Sequence, residues 1–386
     1  MLIQRFGGRH LPVVEVHFEE VSFPMKVSRS LMKSLNPAAV LIALLSFVSN
    51  IEVSALPLHT ATSAPPPAFR VEKQWTLGGV GGWGLLALDA SAHRLYIPRS
   101  NRVMVVDTGT GALLAEIGGM KNVREMVLDD SGKYGYVTDP TDGTEGFVRV
   151  FDRSANRLIT SIPTGRVPAA IAFDPATKTV FAFNSHSHSA TVIDAATNQV
   201  VATIPLSGRP AAAVTDGKGN VFVTLPALGT IVRIDAAQKK VVTSMNLAPC
   251  TGPAALAIDP TQHQIFTTCE NHKLVAVNAD SGNVTAIGDA PSGAGDIDFD
   301  TVHNMLFLAD ISGTLTVFGR ESSAQYSVVQ QIKTQPGART MIVSPDNNKI
   351  YLVTSKFGMN TATASEELQF RPTPVPGTFS VIVVGR

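Results

Sequence analysis

A closed ring of seven four-stranded antiparallel blades, an all-β propeller, is the fold this chain predicts. Three observations predict it: a repeat in seven copies, an aromatic residue held in register within each copy, and a strand absent from the last copy but present ahead of the first. Anchored on the residue that ends the first strand, the copies fall at Asp89, Asp129, Asp174, Asp216, Asp259, Asp300 and Ser344, spaced by 40, 45, 42, 43, 41 and 44 residues. An aromatic follows seven residues later in six copies (Tyr96, Tyr136, Phe181, Phe266, Phe307, Tyr351) and six later in the remaining one (Phe222).

Each copy holds four short alternating stretches. In the third they are Ala169 to Phe173, Val180 to Asn184, Ala190 to Ile193 and Gln199 to Ile204. Four strands joined by tight turns make an antiparallel meander. One such sheet leaves both apolar faces unburied, so it must stack on neighbours. The seventh copy ends with its third strand, Thr378 to Val384, just before the chain stops at Arg386. Ahead of the first copy, Gln74-Trp75-Thr76-Leu77 stands where other copies read Val201-Ala202-Thr203-Ile204. Residues 69–77 are therefore expected to supply the outer strand of the last blade, with Trp75 beside Val381.

The composition agrees. The 386 residues are 44% hydrophobic and 16% charged, with 31 Gly and 24 Pro, which marks a folded chain rich in turns. Lys plus Arg equals Asp plus Glu at 31 each, so no basic field exists to hold nucleic acid. Lys26, Arg29 and Lys33 precede the apolar run Ala38 to Val48 and the small-residue site Val53-Ser54-Ala55, the order of an export signal cleaved after Ala55. The run is shorter than the about 20 residues a membrane span needs, so no stable span is expected. Met25, next to the charged region, is an alternative initiator. The resulting division is residues 1–55 as extension and signal peptide, 56–68 as a Pro-rich linker, and 69–386 as the propeller. The expected location is the periplasm or outside the cell.

The stretches Pro168-Ala169-Ala170-Ile171-Ala172-Phe173-Asp174, Ala190-Thr191-Val192-Ile193-Asp194 and Tyr136-Val137-Thr138 resemble the bacterial YVTN-repeat, or YncE-like, propellers. Asp139 stands where that family has asparagine, and the sixth copy departs most, with Asp296 and Asp298 in its first strand and Gly319 in place of a turn aspartate. The resemblance covers residues 69–386 and implies the fold; it carries no catalytic motif over.

Asp107, Asp152, Asp194 and Asp235 recur between third and fourth strands, where an aspartate caps turn N–H groups. Ala and Gly at the start of the first strands (Ala169-Ala170, Ala211-Ala212, Ala254-Ala255, Gly293-Ala294-Gly295) suit strands crowded around one axis. Function is thus sought where the copies differ, in the loops before first strands and between second and third strands, which emerge on one face. There the chain places Arg124 with Glu125, Arg166, Arg209, Asp296, Arg339, Arg99 and His186. Arginine forks suit carboxylate or phosphate, so Arg99, Arg124, Arg166, Arg209, Arg339, Asp296, Asp298 and His186 form the candidate ligand set for an anionic small molecule or acidic peptide. His186-x-His188 and Glu270-x-His272 each put two ligand-capable side chains on one side of an extended segment, but they read as polar loops, so no metal, cofactor or catalytic residue is expected.

Cys250 precedes the first strand of the fifth copy and Cys269 ends its second, positions that an antiparallel pair brings together. A disulfide is expected, in keeping with export. Residues 355–376 form an insertion in the seventh copy, read as a flexible excursion rather than a lid. The chain is thus expected to be a monomeric, non-catalytic binding scaffold. A propeller enzyme (lactonase or metal-assisted hydrolase) and a cell-envelope protein-docking module are the alternatives.

Overall fold

The structure, a computed structural model, describes residues 68–322, 325–359 and 372–386. The expected signal segment, nearly all of the linker and the middle of the 355–376 insertion lie outside the described residues. Among those described, seven four-stranded antiparallel sheets follow one another in a ring, with two single-turn 3-10 helices, Pro226–Leu228 and Pro345–Asn347.

Blade three shows the local logic. Its strands are Pro168–Asp174, Thr179–Asn184, Ser189–Asp194 and Gln199–Pro205, paired in chain order. The three inner strands are almost wholly buried, and the outermost is mostly exposed, with only Ala202 half-buried and Ile204 buried. Inner strands are covered on both faces by adjoining blades, so they read as continuous apolar runs; the outer strand meets water along one edge. All seven in-register aromatics are buried to within 1% exposure and fill the seams between blades.

The recurring aspartates do what their positions require. Asp107 Oδ1 accepts the N–H groups of Gly109 and Thr110, Asp152 those of Ser154 and Ala155, Asp194 that of Thr197 and Asp235 that of Gln238. The sixth blade has Gly319 instead, and its outer hairpin does not turn there. The strands Thr314–Ser322 and Gln325–Lys333 run on past it. That extension carries Arg320, which pairs with Asp259 of blade five, and Tyr326, whose hydroxyl donates to Gln264 Oε1 at 3.0 Å. Arg153 of blade two similarly pairs with Asp89 of blade one.

Blade seven consists of Thr340–Ser344, Lys349–Thr354, Ser380–Gly385 and, outermost, Arg70–Thr76. The last two strands run antiparallel with Trp75 opposite Val381. Just ahead of that strand, the Phe69 N–H donates to Gln330 Oε1 at 2.9 Å while Gln330 Nε2 donates to Phe69 O at 2.6 Å. The Phe69 ring is buried edge-on against Phe307 at 5.4 Å. The outermost pair of every blade carries a register shift. Such bulges twist an edge strand away from straight pairing, which protects the exposed rim from adding further strands.

Cys250 and Cys269 are bonded, with Cα atoms 5.5 Å apart and both residues buried. Among the described residues no helix is long and apolar enough to cross a membrane.

Candidate functional site

The loops that precede the first strands and those joining second to third strands surround one end of the central axis. They enclose a cavity of about 620 Å³, built from blades one to four and closed by Thr340 of blade seven. Arg124 and Arg209 line it, with Asn122, Asp142, Ser185 and the carboxyl of Glu125. A second cavity of about 520 Å³ adjoins it between blades six, seven and one, lined by Trp83, Ile311, Pro336, Arg339, Phe357 and Pro374 among others. Trp83 and Thr340 line both.

The positions of these groups follow from backbone constraints. Asp139, at the end of the second strand of blade two, is buried and paired with Arg149 at 2.8 Å. Its two oxygens accept the N–H groups of Lys121 and Asn122 at 3.0 and 2.9 Å, which fixes the loop that leads to Arg124. Burial pushes the Asp139 carboxyl up, but those N–H groups and Arg149 outweigh it and hold it below the usual carboxylate range. Gly84 of blade one presses against the next blade so closely that a Cβ there would stand 1.4 Å from Arg124 O. Only glycine fits.

Three carboxyls are raised: Glu125 in the mouth lining, and Asp296 and Asp298 on the first strand of blade six. Glu125 is half-buried, and its burial, with the nearby Asp296 charge, pushes it well above its ordinary value against a stabilising Ile171 N–H. Asp296 is raised to about 7, chiefly by burial; the Met341 N–H and Arg339 oppose the rise and Asp298 adds to it. Asp298 is raised to about 6, again by burial, against hydrogen bonds from Val343 N–H and Phe299 N–H. At neutral pH these carboxyls are therefore only partly ionised.

Of the arginines expected in the ligand set, Arg124, Arg209 and Arg339 are exposed and make no ion pair within 4 Å among the described residues. Arg166 is exposed too, but its Nε donates to Gly143 O at 3.3 Å and it lines neither cavity. His186 sits on an exposed turn outside both cavities, its N–H bonded to Arg166 O at 3.2 Å. Asp296 and Asp298 are engaged by the backbone of blade seven.

Arg99 corrects the expectation of a rim residue. It is 1% exposed, its guanidinium lies 3.6 Å from the centre of the Phe379 ring, and Nη2 donates to Val80 O at 3.1 Å. Burial lowers its pKa to about 10. The residue ends a strand at the junction of blades one and seven, where the neighbouring blade covers it. No pattern within its own repeat signals that cover.

Sequence reasoning missed the aromatic wall. Trp83 packs on Phe379 with ring centres 5.2 Å apart and faces Phe357 at 6.2 Å. Phe357 belongs to a two-stranded ribbon, Phe357–Met359 with Pro372–Pro374, formed by the ends of the insertion. Its ring lies over Gly337, where a Cβ would come within 2.2 Å of it. A signal was present: one of only two tryptophans stands inside Gly78-Gly79-Val80-Gly81-Gly82-Trp83-Gly84, a loop too glycine-rich to need a tryptophan for its own packing. Among the described residues no group of three or more His, Cys, Asp or Glu converges in an arrangement that could hold a metal ion.

No family model matches the chain, and no curated protein matches it. Solved structures do. It is similar to a chain of Kuenenia stuttgartiensis hydrazine synthase, with a TM-score of 0.61 at 17% identity over 69% of this chain and 91% of that one. It is similar also to U3-55K, with a TM-score of 0.63 at 12% identity over 81% of this chain and 98% of that one. At such identities the likeness is one of fold alone. The sheet order establishes a seven-bladed β-propeller, and both solved structures share its fold.

Proposed function

We propose that this chain is an exported, monomeric, non-catalytic propeller of the YVTN-repeat type whose loop face binds an anionic small molecule or the acidic side chains of a peptide. The observation that carries this reading is the set of three exposed guanidiniums, Arg124, Arg209 and Arg339, around two adjoining cavities, none in an ion pair among the described residues. An arginine fork left without a carboxylate partner is ready to take one from a ligand in bidentate geometry. A concave site with a few convergent polar groups is where small molecules bind. Export is supported by the order of charges, apolar run and small residues before Ala55, and by the Cys250–Cys269 disulfide.

Calorimetric titration with acetate and inorganic phosphate tests the reading. Binding by the native chain that falls at least tenfold in the Arg124→Ala/Arg209→Ala variant supports it; equal heats in both proteins refute it. The mass of the mature protein tests export: a chain beginning at Leu56 is expected.

A further inference from the structure

The two cavities share a wall, and their chemistries are complementary. The mouth offers Arg124 and Arg209; the side cavity offers an indole, a phenyl ring, Ile311 and two prolines, with Arg339 at its edge. Phe357 is 40% exposed and Ile311 50% exposed. Here they face each other across one hollow, on blades seven and six, instead of being scattered singly over the surface. Wet apolar surface gathered in a concavity is recovered when a ligand covers it.

The platform is also set in place beforehand. Arg99 lies on one side of this aromatic group, stacked on Phe379, which in turn packs on Trp83. Gly337 lets the Phe357 ring lie close against the backbone. A rigid aromatic wall loses little freedom on binding, and flat rings are its preferred partners.

We propose that mouth and side cavity form one site and that its ligand is a planar aromatic anion, the ring lying against Trp83 and Phe357 and the carboxylate or phosphate turned to the arginines. This rests on the anion reading above and specifies the class of anion. One cavity supplies arginines outside any ion pair among the described residues, and the other an aromatic slot, with Trp83 and Thr340 common to both.

The test uses three probes on the full mature chain, by calorimetry and by quenching of tryptophan fluorescence: 1-naphthoate, acetate and 1-naphthalenemethanol. The native protein is expected to bind 1-naphthoate at least tenfold more tightly than either of the others. Phe357→Ala should weaken 1-naphthoate about tenfold and leave acetate unchanged, whereas Arg124→Ala/Arg209→Ala should weaken both. Ile311→Ser, on a different blade, replaces Phe357→Ala if circular dichroism shows that variant misfolded. If 1-naphthoate and acetate bind equally well, or if neither apolar variant affects 1-naphthoate, the aromatic inference is overturned and the anion reading stands. If 1-naphthalenemethanol binds as tightly as 1-naphthoate and the arginine variant changes nothing, both are overturned.

Discussion

The Asp296 carboxylate accepts a 3.0 Å hydrogen bond from the backbone N–H of Met341, and two residues further along the same strand Asp298 accepts one of 2.8 Å from Val343. The innermost strand of blade six thus uses side chains to satisfy the backbone of blade seven. Inner strands of adjoining blades converge too steeply to form a ladder, and an N–H facing the seam needs an acceptor from somewhere. A main-chain bond, Asp296 N–H to Arg339 O at 2.8 Å, completes the contact.

This arrangement costs stability at neutral pH. Both carboxyls have folded pKa values above their unfolded value of 3.8, at about 7 and about 6. Their contribution is therefore fully present below pH 3.8 and lost as pH rises through 6 and 7. Asp296→Asn keeps an acceptor oxygen for Met341 and removes the charge. It should raise the melting temperature at pH 8 by about 2 °C, corresponding to roughly 1 kcal/mol in a chain of this size, with the gain shrinking as the pH falls towards 3.8. A lower melting temperature at pH 8 would show that the ionised carboxylate stabilises the seam.

The same titration should tune the loop-face site. Protonating Asp296 removes a negative charge near Arg339. Acetate binding should strengthen about twofold to threefold between pH 8 and pH 5.5, once corrected for acetate's own ionisation, with most of the change gone in Asp296→Asn. Calorimetry at four pH values checks this, and weaker binding at the lower pH would contradict it.

The Cys250–Cys269 bridge spans 19 residues of sequence. On the loop-entropy account its removal should lower stability by about 3 kcal/mol. Cys250→Ser/Cys269→Ser is expected to melt several degrees lower than the native protein, and added reductant should not lower it further. Rapid alkylation of the native chain without reductant would count against the bond.

Gly84→Ala tests how blade contacts place the arginines. With Arg124 O at 1.4 Å from the new Cβ, strands of blades one and two must separate. A loss of about 2 kcal/mol in denaturant unfolding is expected, in the range of overpacked sites, together with weaker acetate binding. Unchanged binding would detach Arg124 from the anion site.

Much of the fold was legible because its causes are local. Alternation, turn aspartates and in-register aromatics are short-range signals, and they located the strands of blade three to within a residue. The site was legible only in part. Arg124, Arg209 and Arg339 could be assigned to the loop face from their offsets within the repeat. Arg99, at the end of a second strand whose following loop was assigned to the same face, is buried, because its environment is set by Phe379, 280 residues away in sequence. Trp83 and Phe357, almost as far apart in sequence, are brought together only by the ring.

The order of residues by itself determined the seven blades, their strand pattern and the caps of their turns, since each depends on a period of two along a strand or on a turn of a few residues. The tertiary structure alone decided which charges reach the mouth, which carboxyls are raised and where an aromatic wall stands. Those properties arise between blades, from how closely neighbouring sheets pack and how much water they exclude, and no single repeat contains that information.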